Sequence, residues 1–178
     1  MAETARVDTD TPSLRCPDDI GRLVEELASE HGLGRKRARR CLIRLGEPAV
    51  PALLEALADE RPRLRIEAAE ALLYIASPMA AASLVEALDD KEFGVRWLAA
   101  EALIALKCDG LVPLLEGLTR HADSMWFRQA AHHVLHDHYC DALREVLRPV
   151  LEALSQREAE DTAPVAAGAV LHEIAARR

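Results

Sequence analysis

The segment HHVLHDHYC, residues 132–140, concentrates four of the chain's seven histidines. On a helix His132, His136 and Cys140 stand at i, i+4 and i+8, one stripe of nitrogen and sulfur donors, and His133 with Asp137 forms a second pair beside it. Two donors one turn apart are what zinc or iron takes from a helix, so Zn or Fe is the cofactor these residues would hold. A third element would then have to lend His121, His172 or Glu173, because no other helix is as rich in ligands. The plainer reading satisfies the rings with Asp137, Tyr139 or main-chain carbonyls. The chain reads as non-catalytic; a metal-binding protein or metal-dependent enzyme centred on 132–140 is the alternative.

A second kind of chemistry is electrostatic. One phrase recurs as RLVEELA, PALLEALA, ASLVEALD, PLLEGLT and PVLEALS, and it carries Glu25, Glu55, Glu86, Glu116 and Glu152 at steps of 30, 31, 30 and 36. Such a ladder would steer a basic protein segment, with an affinity that falls as salt rises. The competing account is that Glu is a good helix former on a solvated face. Basic residues gather instead at Arg35, Lys36, Arg37, Arg39 and Arg40, which read as a solvated face or a partner contact. Phe93, Trp97, Trp126 and Phe127 cluster farther along, where an exposed Trp would be an interface anchor.

The elements that must position these groups follow from a second phrase, GRKRARRCLIRLG, LRIEAAEALLYIA, VRWLAAEALIALK and FRQAAHHVLHDHY, whose arginines Arg35, Arg65, Arg96 and Arg128 recur at steps of 30, 31 and 32. Val95, Leu98, Ala99, Ala102, Leu103 and Leu106 have helical spacing, so each unit is two short amphipathic helices. One pair is too short to bury its own apolar face, and stacking does so. Breaks are expected at Gly46-Glu47-Pro48, Ser77-Pro78 and Asp109-Gly110 within units, and at Arg61-Pro62 and Phe93-Gly94 between them. In this register His132 replaces Ala69 and Ala100, and His136 replaces Leu73 and Ile104.

Composition agrees. The 32 Ala and 27 Leu make up a third of 178 residues and only 3% are aromatic, which suits helices and excludes an all-β fold. A net charge of −8 argues against nucleic acid as a partner, since that surface needs a basic face. No apolar run approaches the roughly 20 residues of a membrane span. Without such a run or a secretory leader, and with Cys16, Cys41, Cys108 and Cys140 in no CxxC pair, the chain is expected in a reducing cytoplasm, with neither a disulfide scaffold nor a zinc ribbon.

The unit R-x2-AAEAL-x2-[IL], a turn, then [PA]-x-L-[LV]-E-[AG]-L and Asp resembles the HEAT-like repeat family, in the short-repeat class also seen in phycobilisome bilin lyases. The resemblance covers about residues 18–178 and implies an all-α fold: a right-handed α-solenoid of helix-turn-helix repeats with half-repeat caps. It further implies that the second helices, with the five glutamates, line the concave face. It implies too an Asp–Arg ladder from Asp59 to Arg65 and from Asp90 to Arg96. Residues 1–16 read as a disordered tail and 17–178 as one domain of about four repeats, with lone helices over 17–31 and 163–177 as caps. The expected role is a protein-binding scaffold; a bilin-lyase-like chaperone is a second alternative.

Overall fold

The computed structural model describes residues 19–137 and 144–176, so the tail over 1–16 lies outside the described residues. Ten α-helices follow one another without a strand among these residues: α1 (Ile20–Leu27), α2 (Gly32–Leu45), α3 (Val50–Leu57), α4 (Pro62–Ile75), α5 (Ala81–Glu86), α6 (Phe93–Leu106), α7 (Cys108–Arg120), α8 (Met125–Asp137), α9 (Arg144–Leu154) and α10 (Ala159–Ala176). The phrase with the recurring arginine forms α2, α4, α6 and α8, and these first helices stack on one another in order. The glutamate phrase forms α1, α3, α5, α7 and α9.

Helix ends obey local rules. Asp19 caps α1 by accepting from the Arg22 N–H at 3.0 Å, and Pro62 opens α4 where a missing N–H costs nothing. The first helices end at Gly46, Ala76 and Lys107, one repeat apart, each with positive φ. The expected break at Asp109-Gly110 is different: both residues lie inside α7, and the chain turns at Lys107 instead. Gly110 serves packing there, since a Cβ on it would sit 3.1 Å from the Leu103 carbonyl oxygen.

Apolar side chains from both helices of each unit form one continuous core, from Leu23 to Val170. The arginine of each unit fastens the turn behind it. Arg35 Nη1 donates to the Ser29 and Glu30 carbonyls at 2.6 and 3.0 Å, Arg65 to those of Asp59 and Glu60 at 2.9 and 3.0 Å, and Arg96 to those of Asp90 and Lys91 at 2.7 and 3.1 Å. Arg128 repeats this on Ala122. The Asp–Arg pairing implied by the resemblance thus runs through main-chain carbonyls, and the carboxylates turn elsewhere: Arg65 grips Asp90 ahead of it at 2.7 and 2.9 Å, and the Asp59 carboxylate turns to Arg61 at 2.8 and 3.0 Å.

Two features depart from a regular array. The closing helix is longer than the expected 163–177 and packs on α7 and α9, not on α8 as another first helix would. Ala159, Ala163 and Ala167, buried at four-residue intervals, allow that close approach. The other is Cys41, which is wholly buried where α4 and α6 carry Ala71 and Ala102.

Candidate interaction surface

The second helices do not pack evenly. α5 and α7 are in close contact, α3 and α5 much less so, and α5 tightens into a 3-10 turn over Ala87–Asp89. Between them lies a groove of about 750 Å³ whose floor includes Leu54, Leu57 and Ala87. Its rim carries six carboxylates, Asp59, Glu60, Glu86, Asp89, Asp90 and Glu92, against two cations, Arg65 and Lys91. The C-terminal end of α3, where helix carbonyls add negative potential, opens onto the same rim.

Most of these acids are already engaged. Asp90 holds Arg65, Asp89 accepts from the Ser124 hydroxyl, and Arg61 beside Asp59 holds its carboxyl at about 2. Glu60 and Glu92 are exposed and form no ion pair among the described residues. Both stand in the acidic turn that follows the glutamate phrase, a signal the spacing of the phrase itself does not carry.

All five glutamates of the repeat are exposed. Arg61 reaches back to Glu25 at 3.2 Å, and Glu86 is tied to Arg120 at 3.0 Å and His121 at 3.1 Å. Glu55, Glu116 and Glu152 make no ion pair among the described residues. Glu152 is not in line with Glu116, however, because α10 occupies the place beside α7 that a stacked α9 would have taken.

The histidines of α8 are drawn into contacts with their neighbours. The His133 ring lies parallel to Trp97, 5.2 Å between centroids, and its Nε2 and Nδ1 face Glu101 at 3.2 Å and Asp137 at 3.3 Å. A neutral ring donates from one nitrogen only, so both contacts are hydrogen bonds only for the imidazolium. His136 Nδ1 contacts Asp137 at 2.9 Å, which holds that carboxyl below its ordinary range, and His132 stacks on His136 at 6.1 Å. Cys140 lies outside the described residues. Among those described, no group of three or more His, Cys, Asp or Glu side chains is arranged to hold a metal ion.

Phe93, Trp97 and Trp126 are 67%, 48% and 43% exposed, and Arg96 lies over the Trp126 ring at 4.5 Å. Phe127 alone of the four clustered aromatics is buried.

The stack of two-helix units defines an α-solenoid, and no described helix is long and apolar enough to cross a membrane. The family model for HEAT repeats matches residues 20–104 and 51–136, and the chain belongs to that family. Comparison with curated proteins finds no match.

Proposed function

We propose that the chain is a non-catalytic adaptor whose groove between α3 and α5 takes a basic segment of another protein. HEAT repeats commonly serve as protein-interaction scaffolds. The observation that carries the reading is the excess of carboxylates over cations around an apolar floor, with Glu60 and Glu92 in no ion pair among the described residues. A lysine- or arginine-rich segment with one aliphatic side chain would match rim and floor together, and Glu55 and Glu116 would extend the same field along the second helices.

A fluorescent 12-residue peptide alternating Lys and Thr, with one central Leu, tests this by anisotropy. Saturable binding is expected at 50 mM salt, weakened at least tenfold in Glu60→Lys/Glu92→Lys, whereas Glu145→Lys on α9 leaves it within twofold. Absence of binding, or equal loss in the control, removes the reading.

A further inference from the structure

Helix α2 holds six of the chain's 22 Lys+Arg and no carboxylate, in a protein of net charge −8. Two of the six are consumed by the fold: Arg35 and Arg39 bond Glu67 at 3.1 and 2.5 Å, and Arg39 also reaches Glu70 at 2.5 Å. The other four, Lys36, Arg37, Arg40 and Arg44, are exposed and enter no ion pair or hydrogen bond among the described residues.

Their spacing makes them one patch. Lys36, Arg40 and Arg44 follow at four-residue steps along the outer face, and Arg37 lies beside them, one turn on from Leu33, which is 85% exposed. The opposite face, Ala38, Cys41 and Leu42, is wholly buried against the core. Like charges one turn apart destabilise a helix, so the free protein sustains a strain here that an external anion would relieve.

We propose that this stripe is a second docking surface, for an extended acidic segment of a protein partner. Consecutive cations of the stripe are about 6 Å apart along the helix axis. Alternate side chains of an extended strand are about 6.6–6.8 Å apart, so carboxylates at every second residue meet Lys36, Arg40 and Arg44 in register. An apolar residue at one end of the segment would cover Leu33.

Other polyanions fit less well. The exposed aromatics Tyr74, Phe93, Trp97 and Trp126 lie on α4, α6 and α8, so no ring of α2 offers a base a stacking platform, and the field of the remaining chain is acidic. A lipid surface would find only Leu33 to insert, because the apolar side of α2 faces inward. This surface is distinct from the acidic groove and stands whether or not that groove binds.

The test is anisotropy with a labelled 12-residue peptide alternating Glu and Thr, with Leu at one end, titrated with the full chain. Saturable binding at 50 mM salt should weaken at least tenfold at 200 mM salt and at least tenfold in Arg40→Glu. Arg157→Glu, the same charge change on another exposed site, should stay within twofold. Arg40→Glu should melt no lower than the parent at low salt, since it removes like-charge neighbours, and Lys36→Gln/Arg44→Gln supplies an independent pair of lost contacts. No binding at 50 mM salt, or equal loss in Arg157→Glu, overturns the proposal. Tighter binding of a 12-nucleotide uridine strand, or of phosphatidylserine vesicles, through the same residues overturns the assignment to a protein segment.

Discussion

At the scale of single residues, Gly117 and Phe127 form a matched pair. Phe127 stands where the two preceding units have Leu64 and Val95, and it is among the largest fully buried side chains. Gly117 stands where they have Ala56 and Ala87, and a Cβ on it would come within 2.5 Å of Val85 Cγ1 and 2.8 Å of Phe127 Cζ. The larger ring in one position has thus been accommodated by the loss of a methyl in the other. Gly117→Ala should destabilise the chain by about 1–3 kcal/mol through overpacking, and Phe127→Leu should recover part of that loss. A double-mutant cycle in urea reads the coupling, and strict additivity would show the two sites to be independent. Both exchanges are visible in the repeat register; that they touch is not, because register aligns positions within units and says nothing of distances across them.

At the scale of elements, the ends of the first helices differ in what they ask of the backbone. Ala76 sits in the left-handed region at φ 51° and ψ 42°, where its Cβ is disfavoured, and Gly46 at φ 68° and ψ −135° adopts a conformation that side chains rarely enter. Ala76→Gly is expected to raise stability by about 0.5–1 kcal/mol, and Gly46→Ala to lower it by about 1–3 kcal/mol. Chemical denaturation of the two variants checks both signs. The helices themselves were legible because Leu and Ala recur at helical spacing in every unit. The turn at Lys107 was not, since glycine at 110 signals a break by composition but is present for its missing Cβ against Leu103. The seat of α10 was equally hidden: its apolar spacing specifies a buried face without naming the helix that covers it. For the candidate site, the glutamates were readable as a period, whereas the groove lies where α3 and α5 end and their turns follow, which the recurring phrase does not express.

At the scale of the whole molecule, carboxyls held below their ordinary range by local partners give the array a dependence on acid. Arg61 holds Asp59 at about 2, and the His136 ring holds Asp137 below its usual range. A carboxyl whose folded value is depressed stabilises the fold above its unfolded value, about 3.9, and that contribution is lost as pH falls toward the folded value. The melting temperature should therefore drop as pH is taken from 5 to 2.5, and Asp59→Asn should drop less over that interval than the parent. An unchanged slope in Asp59→Asn would assign the acid sensitivity elsewhere.

The side-chain links between units are also short in sequence. Arg35 to Glu67, Arg65 to Asp90, Ser77 to Glu47, Ser124 to Asp89 and Arg61 to Glu25 span 25 to 36 residues, about one repeat each. Because loop-closure entropy grows only with the logarithm of the segment closed, each of these links costs the unfolded chain nearly the same to form. These links join neighbouring units, a pattern that favours folding by nucleation in one unit and spread to the next. The return of α10 to α7 closes a longer loop than these links, so α10 is expected to dock late in folding and to exchange its amides early, which hydrogen exchange would check.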